Sequence, residues 1–248
     1  LEIKSERRFY LGMATFMLLI VLVGFSKSFF FRPLFSEMKN VSTELFFYGH
    51  GLVFTFWFIL LLIQPYLIQS ENFKWHKRLG VLGAIIALFM LGTGILAGFI
   101  TAARPESFQG TEAGPIEFLM IPISGVCIFF ILIAFAFSFR KKGQYHKRLM
   151  LLGSIVLLDA PLRRLPFDQL IFSWPATYFT GDMIVLFMVF PIIAWDIFSI
   201  GRLHHATIFG GFAILIFNPL RALLVQTETW ISFAEWGMEM VTSNPIQL

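Results

Sequence analysis

Charge is scarce in this sequence. Of its 248 residues only 14% are Asp, Glu, Lys or Arg, against about 25% in an average soluble domain. That shortage excludes an ordinary water-soluble enzyme, a disordered chain and a nucleic-acid binder. Cysteine is almost missing. Cys127 stands alone inside an apolar run, so neither an internal disulfide nor a cysteine metal cluster can form. Alternation of apolar and polar residues is absent, which excludes a membrane barrel; continuous apolar runs satisfy their backbone in lipid only as helices. There is no Gly-rich phosphate loop, no His-Glu-x-x-His zinc signature and no serine in a nucleophile elbow. The last apolar run holds no lysine for a retinal Schiff base.

What is present is hydrophobic and bulky. Apolar residues make up 57%, aromatics 17%, and there are 32 phenylalanines; mean hydropathy is +0.78. A spanning helix needs about 20 mostly apolar residues. Such windows fall at Phe9–Phe31, Phe46–Ile68, Leu79–Thr101, Ile116–Phe139, Leu149–Leu165, Tyr178–Ile200 and Ala206–Val225. The pattern predicts an all-α integral membrane protein, a seven-helix transmembrane bundle over residues 1–226. Within residues 227–248, Trp230, Phe233 and Trp236 recur every three residues, which predicts a tail helix on the outer interface. The chain opens on Leu1 rather than Met, so the expectation is a trimmed chain with any targeting segment ahead of it.

Loop charge sets the orientation. One side carries twelve of the nineteen cations: Lys4, Arg7, Arg8, Lys74, Lys77, Arg78, Arg140, Lys141, Lys142, Lys147, Arg148 and Arg202. That side is expected to be cytoplasmic, which places the N-terminus in the cytoplasm, the C-terminus in the periplasm and the chain in a bacterial inner membrane. The net charge of +4 then reflects loops facing the cytoplasm, not a nucleic-acid partner.

A repeat runs through the middle of the chain. His76-Lys77-Arg78-Leu79 returns as His146-Lys147-Arg148-Leu149, seventy residues on, with Gly83 matching Gly153 and Ile85 matching Ile155. The units, about 45–101 and 115–166, are the second and third spans and then the fourth and fifth, in the same orientation. Parallel repeats share an axis along the membrane normal, which brings His76 and His146 to one inner level. The same offset maps His50 onto Met120. His/His and His/Met are both axial-ligand sets for haem iron, and Arg78 and Arg148 would neutralise haem propionates. The alternative is plain: His-Lys-Arg at the start of a helix is also what an interface anchor looks like.

Two resemblances follow from these residues. His50-Gly51, Trp57 and Gln64, with His76-Lys77-Arg78-Leu79-Gly80 and His146-Lys147-Arg148-Leu149-Met150-Leu151-Leu152, resemble signatures of a group of uncharacterised bacterial multi-pass membrane proteins, which implies no particular activity. A more distant similarity is to the two-haem transmembrane b cytochromes, which implies haem b held by histidines on four adjacent helices. Here Met120 stands where that pattern has a histidine.

Polar residues inside apolar runs need individual explanations. Asp159 lies thirteen residues after His146, about 20 Å along a helix. Pro161 follows and predicts an early end or kink. Asp159 and Arg163 are four apart and share a helical face. With Arg164, Asn218, Arg221 and Glu117 they outline a polar cavity at the outer end. His50, Trp57 and Gln64 recur every seven residues, so they form one stripe that can line it. Asp196 lies near the inner end of the sixth span, within reach of an inner cation. His204 and His205 are adjacent and point different ways, which reads as an interface pair.

Three functions remain open on these residues. One is an accessory or assembly subunit of a larger membrane complex, with no independent catalysis and with lipid and other membrane subunits as partners. One is a b-type haem module exchanging electrons with a quinol, its ligands His76, His146, His50 and Met120. One is a carrier or binder of a small anionic or lipid-like molecule near Asp159, Arg163 and Arg221. No residue is marked as catalytic.

Overall fold

In an apolar run, a helix is the conformation that pairs every backbone donor internally. The computed structural model of the chain describes residues 2–34, 45–104, 114–165, 185 and 187–243, and the regular elements among them are all helical. They are α1 (Glu2–Gly24), α2 (Leu45–Gln69), α3 (Phe73–Ala102), α4 (Pro115–Ser138), α5 (Gly143–Val156), α6 (Asp159–Leu162), α7 (Phe190–Ile200), α8 (His205–Leu224) and α9 (Glu228–Ser243). Five of these, α1 to α4 and α8, are long and apolar enough to cross a membrane.

Local chemistry sets several boundaries. The Asn72 side chain caps α3 by accepting from the Trp75 N–H, and Glu71 takes the tight turn before it with φ of 59°. Pro115 opens α4, where its missing N–H costs nothing. Gly201, at φ 68°, closes α7. Beyond α1 the chain tightens into a π turn (Ser26–Phe30) and a 3-10 turn (Arg32–Leu34).

The fifth apolar window is not one long helix. α5 has 14 residues, about 21 Å of rise, short of a 30 Å hydrocarbon core. Pro161 has no N–H to offer the Leu157 carbonyl, and the chain turns into the four-residue α6 instead. Of the sixth window, residues 178–184 and 186 lie outside the described residues; its end forms α7, 11 residues long. Among the described residues, the expected runs are matched by five full-length helices and the shorter α5 and α7.

α2 packs on α3, α3 on α4, α4 on α5, and α8 on α5 and α4. α1 lies along α2 and reaches α5 and α6. Glycines allow close approach. Gly83 faces Leu60 on α2, Gly94 faces Val126 on α4, and Gly153 faces Leu132 and Ile133 on α4. These contacts make α2/α3 and α4/α5 antiparallel hairpins. Trp57, Phe129, Leu132, Leu152 and Ile155 form the buried centre.

One end of the bundle collects the basic segments. Lys147 pairs with Glu6, Arg7 lies 3.8 Å from Glu71, and the Tyr145 ring packs on His204 at 4.6 Å. We call this the basic end. At the opposite end α9 lies across α3 and α4. The Trp230 indole donates to the Ile116 carbonyl at 3.1 Å, and Ala234 and Gly237 are buried against the bundle.

Candidate functional site

The basic end holds the densest polar chemistry. His76 projects from the first turn of α3 and His146 from the first turn of α5. Their rings are 6.5 Å apart, centroid to centroid, and nearly perpendicular at 87°. Nδ1 of His146 is 2.8 Å from the Ala136 carbonyl of α4. As the donor there, it leaves Nε2 carrying the lone pair. The His76 ring interacts with the backbone carbonyl of Gln64. Its Nδ1 is buried without a hydrogen-bond partner, and so is Oε1 of the Gln64 side chain. The Gln64 amide nitrogen lies beside Gly80, one turn along α3 from His76. Gln64 thus belongs to the basic end and not to a cavity at the opposite one.

Beside this pair runs a second network. Arg148 donates from Nε and Nη2 to Oδ1 of Asp196, at 2.8 and 2.6 Å. Its Nη1 donates to the carbonyl and the side-chain oxygen of Gln144. Oδ2 of Asp196 accepts from the Thr207 hydroxyl at 2.6 Å and the His204 N–H at 2.9 Å. Arg148 and Asp196 have no exposed side-chain surface. The network ties α5, α7 and α8 together. The expected propionate role of Arg148 is replaced by this closed pair, since the guanidinium is already spent on Asp196 and Gln144. Arg78, its repeat counterpart, is exposed and lies 5.4 Å over the Trp75 ring. His204 is the N-cap of α8; its Nδ1 accepts from the Ala206 N–H at 3.1 Å. Burial, and next the charge of Arg148, hold its imidazole below the ordinary value.

His50 and Met120 do not form a second ligand pair. The His50 ring packs on Phe54 at 4.3 Å and interacts with the backbone of Thr93. The contacts of Gly94 with Val126 and Gly98 with Pro122 fix the register of α3 on α4. That register sets Met120 opposite Ile100, two turns or about 10 Å beyond Thr93. Met120 is a buried core residue there. Trp57, expected on a cavity stripe, is buried, and its indole donates to the Ser154 hydroxyl at 3.0 Å.

At the other end, Asp159 and Arg221 line a cavity of about 10 Å³ with Ile128, Val156, Val185, Ile214 and Phe217, room for about one water. Arg163 Nε donates to both Asp159 oxygens, at 2.9 and 3.0 Å, as the spacing predicts. Arg164 donates to the Ala160 carbonyl and stacks 4.7 Å over Phe25. Glu117 is exposed in the first turn of α4 and curls back toward Gly114. Asn218 lies on α8, its side chain outside the described residues.

The imidazole separation at the basic end is about that of two axial ligands on one iron. Gln64 sits near His76, and the Phe137 ring is 6.2 Å from His146, so a macrocycle between the rings would have to displace both. No cluster of three His, Cys, Asp or Glu side chains occurs among the described residues. The expected pairing of Asp196 with an inner cation is met by Arg148; the share of Thr207 and the His204 N–H in that carboxylate is the part the sequence leaves unread. Comparison with family models, curated proteins and solved structures gives no match to this chain.

Proposed function

We propose that this chain is a non-catalytic accessory or assembly subunit of a larger complex in a bacterial inner membrane. In this reading it crosses the membrane seven times, as paired repeats of a helical hairpin. The basic end faces the cytoplasm, as its excess of Lys and Arg favours, and the α9 tail lies on the periplasmic interface.

The observation that carries the reading is where these polar groups are spent. Arg148 is locked to Asp196, Trp57 to Ser154, and Asp159 to Arg163. Each bond ties elements together or closes a helix end, and the cavity at Asp159 and Arg221 has room for about one water. A rigid, filled bundle of this kind offers its surface as its working part. That surface is aromatic and aliphatic on α7 and α8, with Phe198 88% exposed and Leu223 70%. Lipid covers such a surface, and so does another membrane subunit.

The test is cross-linking in native membranes followed by extraction in mild detergent and native mass spectrometry. A defined higher-mass assembly containing this chain is the expected result. A lone monomer, both in cross-linked membranes and after extraction, overturns the reading. A tag at the N-terminus accessible only from the periplasm overturns the orientation separately.

A further inference from the structure

We propose that His76 and His146, backed by Gln64, form a binding site for a single late transition-metal ion at the basic end of the bundle, with monovalent copper the preferred occupant.

The argument begins with the ring nitrogens. A metal-ligating histidine commonly gives its second ring nitrogen to a backbone carbonyl, which fixes the tautomer and aims the lone pair. His146 does this with Ala136 at 2.8 Å. The His76 ring lies near the Gln64 backbone carbonyl, which interacts with it electrostatically. Each ring therefore keeps one nitrogen for a ligand, and the His76 Nδ1 is buried with nothing to bond. A buried polar atom left so destabilises the fold, and Oε1 of Gln64 is equally unpartnered. A cation held between the two imidazoles accepts the His76 lone pair and removes the first penalty, and a turn of the Gln64 side chain would offer Oε1 as a third donor.

Distance supports the same conclusion. With metal–nitrogen bonds of about 2.0 Å, two opposed imidazoles on one ion hold their centroids about 6.3 Å apart. The observed 6.5 Å needs only a small closing movement. Both rings are half-buried, so an ion can enter from the basic end.

Charge selects the ion. Imidazole suits copper, zinc, iron and nickel, but all three donors here are neutral. The nearby carboxylates are committed, Glu6 to Lys147 and Asp196 to Arg148. Lys77 and Arg78 add positive charge beside the site. A divalent ion would carry its whole charge there uncompensated, whereas a monovalent ion with two opposed imidazoles carries half as much. The flanking Gln64 and Phe137 favour a bare ion over a porphyrin.

The site is independent of the subunit reading. A chain that binds no metal can still be a subunit, and a lone monomer can still bind copper. The experiment titrates the purified full chain with Cu(I) under reducing conditions against a colorimetric chelator, and with Zn²⁺ in parallel. One equivalent of Cu(I) is expected, bound more tightly than Zn²⁺. His76→Leu and His146→Leu should each abolish it, and Gln64→Leu should weaken it about ten-fold. His50→Leu should leave it unchanged. If a leucine variant fails to fold, His76→Gln and His146→Gln replace it, with circular dichroism as the folding check. Absence of binding by the folded wild type overturns the site, as does equal binding by both folded histidine variants. Tighter binding of Zn²⁺ overturns the choice of copper. A Soret band in the purified chain that vanishes in both histidine variants overturns the bare ion in favour of iron porphyrin.

Discussion

Arg148 and Asp196 meet at 2.6 Å inside the bundle, neither with any exposed side-chain surface. Three helices depend on that contact, because Asp196 lies on α7, Arg148 on α5, and Thr207 of α8 donates to the same carboxylate. Removing one partner of a buried pair leaves an uncompensated charge and costs about 3–5 kcal/mol. Arg148→Met and Asp196→Asn should each lower the unfolding midpoint sharply in detergent. The double variant Arg148→Met/Asp196→Leu should be more stable than the sum of the single losses requires. Additive losses would show that the two groups do not act as a pair.

Trp57 offers a milder test of the core. Trp57→Phe deletes its bond to Ser154 and keeps most of the ring's volume. The Ser154 hydroxyl retains its own bond to the Met150 carbonyl. A loss of about 0.5–1 kcal/mol is expected in a denaturant titration. Trp57→Ala should cost about 3–5 kcal/mol, because a cavity opens against Phe129 and Gly83.

Gly24 is constrained by contact. A Cβ there would fall on the carbonyl and Cβ of Pro161. Backbone cannot yield as a flexible side chain does, so Gly24→Ala should push α1 away from α6 and cost about 1–3 kcal/mol. Gly12→Ala, where a Cβ meets nothing within 4 Å, is the matched control and should be neutral or stabilising by thermal melting.

His204 should make stability pH-dependent. Its ordinary value is near 6.5, and in the fold it is held lower, chiefly by burial. The folded chain thus favours the neutral ring, whose Nδ1 caps α8. Stability from this group is fully present above pH 6.5 and is lost as the pH falls through the depressed folded value. His204→Asn keeps an acceptor at the cap without titrating. Between about pH 7.5 and about pH 5 the wild type should lose more thermal stability than this variant; equal losses would refute the role.

Much of the fold is legible in the sequence because apolar run length translates directly into helix. α2, α4 and α8 fall within one residue of their windows while α3 starts six residues early, and the Pro161 break and the Asp159–Arg163 pair follow from spacing alone. The fifth window shows the limit of that translation, its α5 being only 14 residues long. Hydropathy alone cannot tell a run that crosses from one that Pro161 divides. His76 and His146 do lie at one level, their rings 6.5 Å apart. The offset that pairs them fails for His50 and Met120, because it carries no information about how α3 slides on α4. That Asp196 meets an inner cation is legible; that the cation is Arg148 is not, because the two lie forty-eight residues apart, a separation no local pattern reports.

The brevity of α5 has a mechanical consequence. This central rod is gripped by α1, α4 and α8 and anchored at the basic end, yet it stops after Val156 and, among the described residues, is followed by the four-residue α6 as a roof. Stiffness should therefore grade from pole to pole along the same chain segment. Amide deuteration should be slowest over Leu149–Ile155 and fastest over Arg163–Leu165, so whatever yields first when the bilayer thins or bends will yield at the roof, with the floor of histidines left in place.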